Sequence, residues 1–252
     1  SKSFVIMNRS LKHLCLATSL TLISLGVQAQ GSETDVQLLR DADRTRGGNL
    51  PGISWRVAVD VYENDEKTDS QGIQLYANPD AWVADFLSPN KIRGQRLLKR
   101  GKNMWFSSPN ASKAVPISQR QRLSGGASNG DVASTNYARD YEIVSVTDES
   151  IDGKATRRFE LRSKDSSVTY DQVRYWIDTK AKVGVKAEFL SKTGKLLKTA
   201  AFQYGNKIQY EGDTLPFVSQ MEIKDALKPA EVTRLSYSEI RVGSIPASKF
   251  AR

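Results

Sequence analysis

The side chains that most often carry catalysis are confined to one end of this sequence. Of its 252 residues, one is a histidine and one a cysteine, His13 and Cys15. Both fall in a segment laid out like a secretory leader. Arg9 and Lys12 follow Met7, an apolar run extends from Leu14 to Leu25, and Val27-Gln28-Ala29 is a small-x-small cleavage signal. That run is shorter than the roughly 20 residues needed to cross a bilayer. Residues 1–29 are therefore expected to be a cleaved signal peptide with a short upstream extension, and 30–252 a single domain in the periplasm. A lipid-attachment cysteine would follow the apolar run; Cys15 stands at its start and reads as an apolar residue of the leader. Cleavage after Ala29 leaves no thiol nucleophile, no imidazole base, no disulfide and no histidine- or cysteine-ligated metal. Serine–histidine and cysteine–histidine catalysis are excluded with them. Carboxylate chemistry remains, but no spacing singles out the facing acid pair that glycan hydrolysis requires. The expectation is a binding protein with no cofactor and no metal, not an enzyme.

Two further segments have the composition of sites. Gly125 to Gly130 has the glycine spacing of a phosphate loop, but Asp131 and Val132 stand where lysine and serine or threonine are needed, so it reads as a turn. The stretch from Lys91 to Lys102 holds Lys91, Arg93, Arg96, Lys99, Arg100 and Lys102 without one acid, interleaved with Ile92, Leu97 and Leu98. It fits a surface that docks on anionic membrane or an acidic partner. It fits equally a hairpin edge guarded by charge against strand-to-strand aggregation. The formal charge of +9 falls to about +6 once Lys2, Arg9 and Lys12 leave with the leader. In an exported protein such a surplus points to lipid head groups sooner than to nucleic acid, or is simply a soluble basic surface.

The elements that must position these groups are mostly strands. Ser32 and Asp35 resemble a capping box, Val36 and Leu39 share a face, and Gly47-Gly48 closes an N-terminal helix. The period then changes to two. Ile53, Trp55, Val57, Val59 and Val61 alternate with more polar neighbours, as in a half-buried strand. Further strands are predicted over 73–76, 82–87, 94–100, 103–106, 141–146, 157–162, 173–178, 184–190, 196–204, 217–223 and 232–240, with hairpin signals such as Asp152-Gly153 and Thr193-Gly194 between them. The fold class is mainly β, a meandering antiparallel sheet or barrel. The polar stretch 118–137 fits no strand and reads as a lid or a plain loop. Trp55, Trp82, Trp105 and Trp176 all lie in predicted strands, near Phe86, Phe106, Phe159, Phe189 and Phe202. They form either a filled core or the wall of an apolar hollow.

A succession of segments carries a family resemblance. In order they are Ala42-Asp43-Arg44-Thr45-Arg46-Gly47, Met104-Trp105-Phe106 through Pro109, Gln121-Arg122-Leu123-Ser124-Gly125, Asn129-Gly130-Asp131-Val132-Ala133, Tyr137-Ala138-Arg139-Asp140-Tyr141, Tyr175-Trp176-Ile177-Asp178, and Lys186-Ala187-Glu188-Phe189 with Gly194 to Thr199. Together they resemble the longer branch of the outer-membrane lipoprotein-sorting family, the LolA-like periplasmic carriers. The segment Phe106-Ser107-Ser108-Pro109 departs from the family pattern by its polarity. The resemblance implies an unclosed antiparallel β-barrel of about eleven strands, with a helical lid over an apolar face. It implies a carrier, expected to be monomeric, that holds the acyl chains of a lipoprotein or lipid. The expected partners are an inner-membrane transporter, an outer-membrane acceptor and, peripherally, the membrane itself. Expected lining residues are Trp55, Val57, Val59, Leu75, Trp82, Phe86, Met104, Phe106, Trp176 and Phe189, with Gln119 to Tyr137 as the lid. The alternative is an accessory module that docks on an inner-membrane RND-type exporter through Lys91 to Lys102 and has no cargo of its own.

Overall fold

The computed structural model describes residues 31–252; the expected signal peptide lies outside the described residues. Helix α1 (Glu33–Arg44) starts at a capping box. The Ser32 hydroxyl accepts the Asp35 N–H and the Asp35 carboxylate accepts the Ser32 N–H, both at 3.1 Å. Two of the donors that every helix start leaves free are thereby satisfied. Leu39 and Ala42 turn fully buried toward the sheet.

The first half of the sheet comprises β1 (Ile53–Glu63), β2 (Glu66–Ala77), β3 (Ala81–Ser88), β4 (Arg96–Arg100), β5 (Asn103–Ser107) and the two-residue β6 (Val115–Pro116). A small hairpin, β7 (Arg122–Ser124) and β8 (Ala127–Ser128), and the four-residue helix α2 (Tyr137–Asp140) follow. The second half comprises β9 (Tyr141–Ile151), β10 (Lys154–Ser163), β11 (Gln172–Asp178), β12 (Val183–Leu190) and β13 (Leu196–Gln203). After a detached hairpin, β14 (Asn206–Tyr210) and β15 (Asp213–Phe217), the chain returns as β16 (Gln220–Asp225) and β17 (Lys228–Val242). Thirteen strands form one antiparallel sheet in the order β6-β5-β4-β3-β2-β1-β17-β16-β13-β12-β11-β10-β9, whose ends do not pair with each other. The unclosed antiparallel class is as expected from the sequence; the strand count exceeds eleven.

This topology dictates where the intervening segment runs. The chain meanders from β1 out to the edge strand β6, then must cross to the opposite edge to begin β9. Residues 117–140 make that crossing over the inner face of the sheet, with α1. Hairpin register stacks the inner side chains in rows: Trp55 opposite Leu75, Val57 between Ile73 and Tyr237, Phe159 opposite Tyr175, and Val173 opposite Phe189. Such cross-strand pairs are the unit of sheet stability. A smaller cluster on the outer face packs Ala81, Val83, Leu98 and Trp105 beneath Ile245 and Phe250 of the C-terminal segment.

Candidate functional site

The inner face is largely apolar, broken by Asp69, Thr233 and Lys198, which meet the covering segment. Of the residues expected to line it, Trp55, Val57, Val59, Leu75, Trp82, Phe86, Met104 and Phe189 belong to one buried cluster, and the half-buried Phe106 packs against it. Trp176 does not join them. The fully buried Val173, Tyr175 and Ile177 hold the inner positions of β11, so its alternation turns Trp176 to the outer face, where Lys186 Nζ lies 4.5 Å from its ring.

The crossing segment lies on this face as a lid, fastened by part-buried and buried polar contacts. The Gln119 amide donates to the Ser167 carbonyl at 2.6 Å. Arg120 reaches the Val168 carbonyl and the Asp171 carboxylate, both at 2.9 Å. Ser124 donates to Asp69 of β2, and the Gly126 N–H donates to Thr233 of β17 at 2.8 Å. The Asp131 carboxylate accepts from the Ser128 N–H and the Tyr170 hydroxyl, both at 2.7 Å, and Lys198 of β13 donates to Ser128 Oγ at 2.9 Å. Beneath these contacts Ala127, Val132 and Tyr137 press buried side chains onto the sheet. The lid carries little helix: a 3-10 turn at Asn129–Val132 and the single turn of α2. Gly125, with φ +54°, and Gly126 make the tight turn between β7 and β8.

Two charged residues, Asp43 in the last turn of α1 and Arg46 just after it, sit where lid and sheet meet. Arg46 is 7 % exposed, yet its guanidinium reaches no carboxylate among the described residues. It donates to the Tyr175 hydroxyl at 3.2 Å and lies 4.1 Å from the Phe202 ring centre, with the Tyr137 and Tyr175 rings at 5.6 and 5.7 Å. Cation–π attraction grows when the cation is desolvated, which is how aromatic walls hold this charge. Tyr137 belongs to the lid and Tyr175 to the sheet, so Arg46 bridges both. Thr135 of the lid also donates its N–H to the Arg46 carbonyl at 3.3 Å.

Asp43 lies one helical turn earlier and is 1 % exposed. One carboxylate oxygen accepts the Ala138 N–H of α2 at 2.9 Å; the other, Oδ1, is buried without a partner. Burial pushes its pKa up to about 7, against the opposing pull of the Ala138 and Tyr137 N–H groups and the Arg46 charge. An unfolded aspartate releases its proton near pH 4, so between about pH 4 and 7 the folded chain holds a proton that the unfolded chain has lost. Stability therefore falls across that window as pH rises and levels off above it. Urea unfolding at pH 5 and pH 7.5 should show a larger loss for the native protein than for Asp43→Asn. An equal loss in the two proteins would exclude this assignment.

The inner face is filled in this state. The cleft beneath the lid, between Arg46, Tyr137, Tyr141 and Tyr170, has a volume of about 50 Å³, far below the roughly 300 Å³ at which ligand pockets begin. Larger cavities flank the lid. One of about 930 Å³ opens at the mouth of the fold, between α1, α2 and the β14–β15 turn. Another of about 590 Å³ lies on the outer side, between Leu98, Trp105 and the C-terminal segment. The basic residues at 91–102 do not form one patch. Alternation along β4 puts Leu97 on the inner side and Leu98 on the outer, with Arg96 and Arg100 on the side of Leu98. Arg96 pairs with Asp85 at 2.7 Å, and Arg100 lies over Trp105. Lys99 and Lys102 line a separate small cavity beside α2, Lys102 paired with Asp165 at 3.0 Å. Lys91 and Arg93 are exposed in the turn after β3.

Sequence reasoning passed over Arg46, Asp43 and the tyrosines 137, 141, 170 and 175 as site residues. A usable signal was the phase of β11, where Tyr175 alternates with Val173 and Ile177. The burial of Arg46 had no local signal, because the lid that covers it lies some ninety residues further along the chain.

An open antiparallel sheet whose largely apolar inner face is covered by its own crossover segment defines the fold of this chain. A LolA superfamily protein from Nitrosomonas europaea is 31 % identical to this chain, over 86 % of this chain and 96 % of its own, with a TM-score of 0.76. The chain belongs to the LolA superfamily. A model of a family described as uncharacterized matches residues 79–252. The same fold recurs in a DUF1329 family protein from Desulfovibrio piger, 16 % identical, with 88 % and 98 % of the two chains covered and a TM-score of 0.72. It recurs also in a candidate outer membrane lipoprotein-sorting protein domain from Vibrio parahaemolyticus, 19 % identical, with 85 % and 95 % covered and a TM-score of 0.67. No curated protein matches the chain.

Proposed function

We propose that the protein is a periplasmic carrier that takes an acyl chain of a lipoprotein or lipid onto the inner face of its sheet when the lid lifts, for transfer between the inner and outer membranes. The observation that carries this reading is the division of labour in the lid. Its fastenings are largely hydrogen bonds, part-buried at Gln119 and Arg120 and buried at Gly126 and Asp131, while the face beneath is mostly an apolar surface. Such hydrogen bonds contribute about 1 kcal/mol each and are remade to water when they open. The apolar face has no such alternative and needs a new cover. Burial of an acyl chain supplies about 0.8 kcal/mol per methylene, so ten methylenes give about 8 kcal/mol toward replacing the contacts of Ala127, Val132 and Tyr137. Delivery then needs an acceptor that binds the chain more tightly, and a closed lid afterwards restores the filled interior. Family membership supports the reading, as does the absence of histidine and cysteine from residues 31–252, which leaves binding as the simpler task.

The test is extraction of the protein, purified from a periplasm without detergent, followed by mass spectrometry. Acyl species in near-stoichiometric amount are expected. A clean extract, together with no uptake of a fluorescent fatty acid from solution, would remove the proposal.

A further inference from the structure

The cavity at the mouth of the fold has a composition unlike that of the inner face. Leu50, Pro51, Pro79, Ala138 and Tyr210 give it an apolar lining, and Arg40, Arg139 and Lys164 stand at it from α1, α2 and the loop after β10. Arg139 is engaged, with both oxygens of Asp140 at 2.8 and 3.1 Å. Arg40 and Lys164 are exposed and have no ion-pair partner among the described residues. Glu211 is the exposed acid that shares the lining. On the inner wall lies Asp43, whose Oδ1 is buried and unpartnered. An orphaned buried carboxylate oxygen is costly and calls for a donor. The mouth also adjoins the interior, since Asn136 lines both this cavity and the cleft beneath the lid.

We infer that the mouth cavity is a head-group subsite: Arg40 and Lys164 bind the phosphate of an anionic glycerophospholipid, and a hydroxyl of its head group donates to Asp43 Oδ1, while the acyl chains pass beneath the lid. This rests on the carrier reading and narrows it, from any acylated cargo to phosphate-bearing lipid. The volume of about 930 Å³ is that of a pocket for a sizeable organic group. Charge-assisted hydrogen bonds from arginine and lysine are the common means of holding phosphate. A neutral acylated cargo would leave both cations without a counterpart.

The experiment compares transfer of pyrene-labelled phosphatidylglycerol and of pyrene-labelled diacylglycerol with the same chains, from phosphatidylcholine vesicles to the native protein and to the double variant Arg40→Ala/Lys164→Ala. Both residues are exposed and make none of the lid contacts, so the variant should fold. The native protein is expected to bind phosphatidylglycerol about tenfold or more tightly than diacylglycerol. The double variant should lose most of that preference while keeping its diacylglycerol affinity. Equal affinities in the native protein, or a preference that survives in the variant, overturn the subsite and leave the carrier reading standing. Glycerol phosphate binding as tightly as the lipid would mark a site for free phosphate esters and overturn it as well. If neither lipid transfers, the subsite falls; the carrier reading falls with it only if the protein also extracts clean and takes up no fluorescent fatty acid.

Discussion

Gly48→Ala is expected to unseat the lid without dismantling the sheet. A Cβ at position 48 would stand 1.7 Å from the Thr135 carbonyl oxygen, a backbone atom of the lid that cannot rotate aside. The neighbouring Gly47 has φ +93° and lies against the Trp55 ring, where a Cβ would come within 2.4 Å. This pair of glycines is the point at which the α1–β1 connection is squeezed between the floor of the inner face and its cover. Overpacking of this kind costs about 1–3 kcal/mol, and in a domain of this size each kcal/mol lowers Tm by about 2–4 °C. The larger effect should be on exposure. The amides of 127–140 should exchange hydrogen faster, and an environment-sensitive apolar dye should bind more strongly. Gly243→Ala is the control, because a Cβ there would meet nothing within 4 Å. If Gly48→Ala were as stable and as protected as Gly243→Ala, the lid would not be held in the position described.

Trp55→Ala should be the most damaging single truncation on the inner face. Trp55 is among the largest fully buried side chains, and its ring centre lies 5.9 Å from those of both Phe217 and Tyr237. Removing a buried tryptophan costs about 3–5 kcal/mol where the surroundings cannot collapse into the space. Collapse is hindered here, since β1 is hydrogen-bonded on both sides, to β2 and β17. Trp55→Phe should cost much less. Chemical denaturation measures both; a cost below about 1 kcal/mol for the alanine variant would mean that the interior near Trp55 is already hollow.

The strands were largely legible in the sequence because the inner face is continuous. Wherever a strand has one buried side, alternation is written into it, as at Ile53 to Val61. Legibility failed where burial does not govern. The outer half of the β1–β2 hairpin stands clear of the core, so Glu66 to Gln71 carry no apolar alternation although they pair with the end of β1. Strand β6 is two residues long and contains a proline. The stretch predicted as one strand over 217–223 is divided at Val218, which leaves β15 to donate its N–H to the Thr45 carbonyl before β16 begins. The site was legible in part. The apolar lining follows from strand phase, which also explains why Trp176 faces away. The basic run at 91–102 reads as one feature in the sequence and is divided in space by the same period of two. Asp43 and Arg46 stand at the end of an amphipathic helix, a place usually open to water. Their burial is a product of topology, since the chain must cross from one sheet edge to the other and passes over them.

A photo-crosslink from the end of an acyl chain tests most directly whether the inner face receives lipid. A fatty acid with a diazirine at its terminal carbon is loaded, irradiated, and the labelled peptides are mapped. Label is predicted at inner-face residues such as Val57, Leu75 and Phe189, which no reagent can reach while the lid is shut. Label confined to exposed positions such as Leu227 or Val144, or none above an unreactive control, would contradict the account.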